Sequence, residues 1–306
     1  MPLETINCPL CESAKQDNLY SSCDFRYSIS SDRFSLAKCK ACGFIFLNPR
    51  PAKEDIAKFY PGDFNRRPDS VLYKLIAPSF KAARQQTIRA LKIIKGRGKV
   101  LDIGCGNGDF LLAMYEQGYD VSGAEPNAAA EEFCPAQIRG RIVYKNLEDC
   151  AFSNQSFDIV TSFQSLEHAH DLNGLLAEVS RILKDDGLLY LCLPSADFFE
   201  ARFFKAYYYN LEVPRHLYFF NKKSLEAILS KHGFKTRVFL SETLFELVST
   251  PASFFYYLKY YLQDKRIGTG KVFKGIFFIP LVLARALTRI IFIFDSQNLK
   301  VICRKI

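Results

Sequence analysis

Short apolar strands alternating with amphipathic helices predict an α/β chain built on a mostly parallel sheet covered on both faces. Three observations carry that reading. Strand-like and helix-like segments alternate from about residue 100 to residue 240. A turn with glycine at every second position joins the first of these strands to the helix that follows it. Two Cys-x-x-Cys pairs set residues 1–50 apart as a small metal-binding module.

Length and composition are compatible with this plan. The 306 residues suffice for one large domain with appendages, and a hydrophobic share of 49% supplies a packed core, which excludes wholesale disorder. The N-terminus, Met1-Pro2-Leu3-Glu4, shows no basic-then-apolar leader. Ten Cys in such a chain point to reduced thiols or metal ligands, not a disulfide frame, so cytoplasmic residence is expected. The net charge of +9 is uneven: residues 199–306 hold 18 Lys/Arg against 7 Asp/Glu. A basic C-terminal third suits phosphate groups, a membrane surface or nucleic acid, and it equally suits a solvated face.

Along the chain, residues 1–47 carry short strand-like runs. Asn48-Pro49-Arg50-Pro51, Pro61-Gly62 and Pro68 mark a linker around one short helix near Lys53–Phe59. A helix from about Val71 to Ile94 precedes strand Val100–Ile103, helix Gly108–Gln117, and strands Val121–Ala124, Ile142–Tyr144 and Phe157–Phe163. Helix Leu172–Leu183, strand Leu188–Leu193, helix Lys222–His232 and strand Thr236–Leu240 follow, and Leu299–Cys303 is a last short strand. The expected organisation is a module at 1–50, a linker or lid at 51–80, a main domain at 81–243 and 296–306, and an apolar insertion at 244–295.

The glycine turn is the most informative stretch: Val100-Leu101-Asp102-Ile103-Gly104-Cys105-Gly106-Asn107-Gly108-Asp109. Glycine lets the backbone turn tightly and approach a ligand with no Cβ in the way. A dinucleotide cradle needs its third glycine at relative position six, where this chain has Asp109, so a nicotinamide enzyme is disfavoured. Asp102-x-Gly-x-Gly-x-Gly at a strand end resembles the first motif of class I S-adenosylmethionine-dependent methyltransferases. Val121-Ser122-Gly123-Ala124-Glu125, followed by Pro126-Asn127, resembles their second acidic strand end. Phe157–His168, ending Leu166-Glu167-His168, resembles their fourth motif.

That resemblance implies a Rossmann-like sheet with an antiparallel last strand, and S-adenosylmethionine as cofactor. It implies that Gly104, Cys105, Gly106 and Gly108 skirt the cofactor, while Asp102 fixes the turn or the amino-acid moiety. Glu125 is the acid placed to accept from a ribose diol, with Pro126 and Asn127 beside it. Leu147 and Glu148 fall where the family contacts adenine, and Gln164 and Ser165 stand where the fourth strand meets the cofactor. Cys105 fits there by size and not as a nucleophile.

Cys8-Pro9-Leu10-Cys11 and Cys39-Lys40-Ala41-Cys42 are separated by 27 residues. Two residues between thiolates put both sulfurs on one side of a tight turn, which is half of a tetrahedral zinc shell. Four thiolates leave no open position, so a structural zinc is expected. The long gap requires a small sheet or loop between the pairs, and Cys23 within it is a bystander. This pair, with Asn48-Pro49-Arg50-Pro51 and Val213-Pro214-Arg215-His216-Leu217-Tyr218, resembles bacterial methyltransferases of sugar and cell-envelope pathways. The resemblance implies a zinc-ribbon-like module and a small or lipid-linked acceptor.

A methyl acceptor must be aligned and, where needed, deprotonated. His168 and His216 are the candidate bases, ahead of His170; His232, at a helix end, reads as structural, its charge suited to the helix dipole. In the insertion, Gly275–Ala284 is the longest uncharged run, about half of a bilayer span. Lys271, Lys274, Arg285 and Arg289 would share a roughly 60° arc of one helix. Residues 254–294 therefore suit a membrane surface at the inner face, an intramolecular lid or a dimer face; the oligomeric state stays open. Nucleic-acid methylation is disfavoured, because no Asn-Pro-Pro-aromatic motif or Pro-Cys nucleophile occurs. A non-catalytic zinc interaction protein is disfavoured by the intact turn and Glu125.

Overall fold

The computed structural model describes residues 2–66, 71–240, 253, 254, 257 and 298–306. The expected insertion at 244–295, and with it the membrane-contact reading of 254–294, lies outside the described residues apart from 253, 254 and 257. Among the described residues no helix is long and apolar enough to cross a membrane. The chain forms two compact units: Met1–Tyr60 with Pro194–Ser224 and Glu242–Asn298, and Pro61–Leu193 with Leu225–Ser241 and Leu299–Ile306.

The first unit begins with strands β1 (Leu3–Glu4), β2 (Gln16–Ser22), β3 (Phe34–Cys39), β4 (Ile45–Leu47) and β5 (Arg50–Pro51). β2 and β3 form the antiparallel hairpin that the long gap between the cysteine pairs required, and β4 adds to β3. The buried rings of Phe34, Phe44 and Phe46, with Leu36 and Leu47, make its core. Asn48 joins the start of this unit to β2 locally. Its side chain accepts from the Ile6 N–H at 3.0 Å and donates to the Ile6 carbonyl at 3.0 Å and to Gln16 Oε1 at 2.9 Å.

The second unit opens with helix α1 (Val71–Lys95) and runs through β6 (Lys99–Ile103), α2 (Asp109–Tyr115), β7 (Asp120–Ala124), β8 (Ile142–Val143), β9 (Phe157–Phe163), α3 (Leu172–Ile182) and β10 (Leu183–Pro194). β10 begins earlier than its apolar run suggests, at Leu183 directly after α3, because a register shift between Leu183 and Leu188 absorbs Lys184–Gly187. Short helix α4 (Phe199–Phe204) and β11 (Tyr218–Phe219) return the chain to the first unit, and α5 (Lys222–Lys231), β12 (Phe234–Leu240) and β13 (Asn298–Lys305) finish it.

The large sheet has the order β12-β13-β10-β9-β6-β7-β8. β6 pairs parallel with both β7 and β9, and β13 pairs antiparallel with β12, as the Rossmann-like reading expected. The chain steps outward from β6 to β7 and β8 on one side, then crosses back to β9 on the other. Such a switch point opens a crevice beyond the carboxyl ends of β6 and β9, and that is where α/β sheets take ligands. Val100, Leu101, Ile159, Val160, Leu188 and Tyr190 are almost wholly buried, the signature of strands covered on both faces.

Residues 194–224 differ from the expected organisation, which had placed them in the main domain. β11 pairs antiparallel with β4, Tyr218 opposite Phe46, so this segment completes the sheet of the Cys-rich unit in the order β11-β4-β3-β2. A fully buried ion pair fixes it there. Arg215 Nη2 donates to Asp24 Oδ1 at 2.8 Å and Nη1 to the Phe59 carbonyl at 3.0 Å, with the guanidinium 4.6 Å from the Tyr27 ring centre. Asp24 also accepts from the N–H groups of Tyr27 and Ile29. Removing one partner leaves a buried charge uncompensated, so Asp24→Ala should lower the unfolding free energy by about 3–5 kcal/mol in a urea titration. A loss under about 1 kcal/mol would show that the pair does not hold the segment.

Candidate functional site

The turn after β6 is built from glycines with three different surroundings. Gly104, Gly106 and Gly108 all have positive φ (65°, 53° and 80°), where an L side chain is strained. A Cβ on Gly104 would lie 2.2 Å from Ser165 Oγ, and one on Gly108 would lie 2.6 Å from Ile138 Cδ1, so both are packed against side chains. At Gly106 a Cβ would meet Asn65 Oδ1 at an ordinary contact distance of 3.5 Å, so of the three this is the glycine that neighbouring side chains do not crowd. The Gly104 N–H donates to the Ala124 carbonyl at 2.8 Å and ties the bend to the end of β7.

Glu125 holds the same bend from its side chain. It is buried, with Oε2 accepting from the Gly106 N–H and Oε1 from the Asn127 N–H, both at 2.8 Å. Burial raises its carboxyl above the ordinary value, and these two N–H groups oppose the rise. Asn127 in turn caps the next turn, its Oδ1 accepting from the Ala129 N–H, while Pro126 between them is exposed. Asp102 does not bond the turn. It is buried inside the sheet and accepts from Thr161 Oγ1 at 2.7 Å, linking β6 to β9. Burial pushes its carboxyl up to about 7, against the Thr161 hydrogen bond and with help from the charge of Glu125.

Cys105 is buried, and its thiol is held well above the ordinary value by burial, with the charges of Asp102 and Glu125 adding to it. A Cβ on Gly123 would lie 2.7 Å from Cys105 Sγ, so the glycine in β7 makes room for this sulfur. Sequence reasoning passed over Gly123 and Thr161; a glycine inside a strand pattern was the available signal. Leu147 is buried at the head of a short turn, Leu147–Asp149, and Glu148 is exposed beside it. Gln164 follows β9 with a positive φ of 49° and its N–H bonded to the Cys192 carbonyl at 2.7 Å. The next turn, Leu166–His168, carries a half-buried His168.

The two candidate bases belong to different units. His168 is in the unit with the large sheet, and His216, buried, is in the Cys-rich unit, where its Nδ1 lies 2.9 Å from the Asn210 carbonyl. His232 Nε2 pairs with Asn173 Oδ1 at 2.9 Å. Burial lowers its pKa, so the ring favours its neutral form and not the charge expected at a helix end.

In the Cys-rich unit, the Sγ atoms of Cys8, Cys11, Cys39 and Cys42 lie within 4.8 Å of one another, and none forms a disulfide. The Cys8–Cys42 and Cys11–Cys39 sulfurs are 3.5 Å apart. A tetrahedron with metal–sulfur bonds of about 2.3 Å has edges of about 3.8 Å, so the four sulfurs fit a zinc shell. Both knuckles share one hydrogen-bond pattern. Cys8 N–H donates to the Ser13 carbonyl and Glu12 N–H to the Cys8 carbonyl; Cys39 and Gly43 repeat this with Phe44. The residue in the left-handed conformation is Glu12 (φ 63°) in one and Gly43 (φ 77°) in the other. Burial opposes ionisation of Cys39, yet N–H groups of Cys42 and Ala41 and the neighbouring thiols bring it down to about 7.

Comparison with known proteins agrees with this geometry. A methyltransferase-domain family matches residues 77–237, just over half of the chain, and the chain belongs to that family. A demethylmenaquinone methyltransferase of Lactobacillus johnsonii is 31% identical over 114 residues, covering 34% of this chain and 46% of that protein. A ubiquinone biosynthesis O-methyltransferase of Glaesserella parasuis is 30% identical over 105 residues, covering 30% and 44%. The chain thus spans less than half the length of these relatives. The crystal structure of the 1,6-didemethyltoxoflavin-N1-methyltransferase of Burkholderia thailandensis shares the fold, with a TM-score of 0.51 at 16% identity over 94% of this chain and 99% of that one.

Two buried carboxyls give the second unit a characteristic pH dependence. Burial raises Asp102 to about 7 and Glu167 to about 8, from ordinary values of 3.8 and 4.5. The folded chain keeps protons that the unfolded chain releases, so the stability they contribute is complete below about pH 4 and lost as pH rises through about 7–8. Melting temperatures taken between about pH 5 and 8 should fall less steeply in the Asp102→Asn/Glu167→Gln variant than in the parent. An equal slope in both would refute the assignment.

Proposed function

We propose that the chain transfers a methyl group from S-adenosylmethionine to a small-molecule acceptor. The observation that carries this reading is the left-handed Gly104–Gly108 bend, held by a buried carboxylate at the switch point of a parallel sheet. Family membership over residues 77–237 supports it. In this reading Gly106 admits the cofactor to the backbone, Gly104, Cys105 and Gly108 keep the bend in shape, and Asp102 ties the strand that leads into it to β9. Glu125 accepts from the ribose hydroxyls with the lone pairs that its two N–H partners leave. Pro126, Asn127, Leu147 and Glu148 border the adenosine, and Gln164 and Ser165 border the methionine end.

The cofactor supplies an electrophilic methyl on sulfur, with a neutral thioether as leaving group. The chain's own tasks are then to align the acceptor and to take its proton. His168 and His216 are the groups proposed for the proton. The relatives support a small acceptor by their names, which refer to demethylmenaquinone, ubiquinone biosynthesis and 27-O-demethylrifamycin SV. A sugar or cell-envelope acceptor rests on the N-terminal motifs alone, and a lipid-linked one on the basic, apolar composition of residues 254–294. Cys8, Cys11, Cys39 and Cys42 are proposed to hold one structural zinc, closed to substrate because thiolates fill all four places.

Isothermal titration with S-adenosylhomocysteine tests the central reading. The parent should bind, and Glu125→Ala, which loses the diol acceptor and frees the Gly106 N–H, should bind about ten-fold more weakly or worse. No heat from the parent would overturn the methyltransferase reading, and an affinity within about threefold in Glu125→Ala would overturn the role of that residue.

Elemental analysis tests the zinc. The purified chain should carry about one zinc, Cys39→Ser should carry markedly less, and a chelator should lower the melting temperature of the parent. Parent protein free of zinc, with a melting temperature indifferent to chelator, would remove the metal from the proposal.

A further inference from the structure

A buried hydrogen-bond donor stands beside the glycine turn with no acceptor. Asn65 lies in the loop that precedes α1, in the same unit as the large sheet. Two short turns set its backbone: the Phe64 N–H donates to the Pro61 carbonyl and the Arg66 N–H to the Asp63 carbonyl, both at 2.9 Å. Its carboxamide reaches the bend, since a Cβ on Gly106 would lie 3.5 Å from Oδ1. Nδ2 of that carboxamide is buried and has no hydrogen-bond partner among the described residues.

A buried donor of this kind has given up its hydration for no bond in return, so it calls for an explanation. Three features say what would answer it. The first is place: Gly106 is the glycine of the turn that side chains do not crowd. The second is direction. The Gly106 N–H points to Glu125 Oε2, whereas the unfilled side-chain direction of the same residue points to Asn65. Glu125 and Asn65 therefore face different parts of a ligand that reaches this glycine, and a carboxylate on that ligand is repelled from the Glu125 side. The third is chemistry. A carboxamide carries a donor and an acceptor side by side, the complement of a carboxylate and an ammonium group on one carbon.

We propose that Asn65 binds the amino-acid end of S-adenosylmethionine, with Nδ2 donating to the α-carboxylate and Oδ1 accepting from the α-ammonium group. The assignment rests on the methyltransferase reading and adds to it a residue outside the matched family segment, residues 77–237. Nδ2 is closed to solvent, so the ligand reaches it only by entering between the side chain and the turn. Asn65 thereby favours ligands with an intact amino-acid end over adenosine compounds that lack one.

Isothermal titration with two ligands separates this role from a structural one: S-adenosylhomocysteine, and 5′-methylthioadenosine, which keeps the adenosine and lacks the amino-acid end. Asn65→Ala should weaken S-adenosylhomocysteine by about ten-fold and leave 5′-methylthioadenosine within about twofold, which also shows that the variant is folded. Asn65→Asp, of nearly equal size but anionic, should weaken S-adenosylhomocysteine further. Because Asn65→Ala removes a donor that is unsatisfied in the free chain, its melting temperature should equal or exceed that of the parent. The proposal is overturned by S-adenosylhomocysteine affinity within about threefold of the parent, by a parallel loss of both ligands, or by a lower melting temperature in Asn65→Ala. A parent that binds neither ligand would refute the methyltransferase reading and this assignment with it. A parent that binds both, with an Asn65→Ala that treats them alike, refutes the assignment alone.

Discussion

A single buried carboxylate organises the carboxyl edge of the large sheet. Glu125 directly follows β7, and its two oxygens reach the N–H of Gly106 in the turn after β6 and the N–H of Asn127 in its own turn. The glycine-rich turn after β6 and the Pro126-Asn127 turn after β7 are thereby fixed to one point. The arrangement costs desolvation of a charge, visible in the raised pKa, and the two N–H donors offset it. Beneath it, Asp102 and Thr161 tie β6 to β9, and Gly123 yields space to the sulfur of Cys105. The bend is thus supported from three neighbouring strands.

The Cys-rich unit solves a different problem. Its strands are short and its core small, so local propensity alone would hold it weakly. Paired knuckles with the same hydrogen-bond pattern clamp one end of the sheet, and the buried Arg215–Asp24 pair clamps the segment that brings β11. The second clamp links residues 191 positions apart in the chain. Its geometry leaves His216, the next residue, anchored through Asn210, so the orientation of that ring is a property of the unit's interior and not of a surface loop.

Much of this was legible in the residues. β9 matches its predicted span, the β6 and β7 strands differ by one residue at their starts, and Glu125 directly follows β7. The four cysteines converge as their spacing required. What escaped was non-local. β11 has two residues, too few to leave a periodic trace, and its partner β4 lies far upstream, so residues 194–224 read as part of the main domain. The separate roles of the glycines were likewise hidden, because Ser165 and Ile138, which pack against Gly104 and Gly108, come from later loops. The early start of β10 was masked by Lys184-Asp185-Asp186, charged residues that a register shift accommodates.

The interleaved path of the chain bears on how it emerges from the ribosome. All four cysteines and three strands of the small sheet are made within the first 50 residues, but the strand that borders β4 arrives only at Tyr218. Until then the edge of β4 and the carboxylate of Asp24 await partners that lie beyond the whole parallel sheet. A nascent chain can therefore gather its sulfurs early, while the Cys-rich unit closes late, after the strands up to β10 have been synthesised. The small unit is not a detachable leader: excising residues 1–60 would strip β11 of its neighbour and Arg215 of its counter-charge.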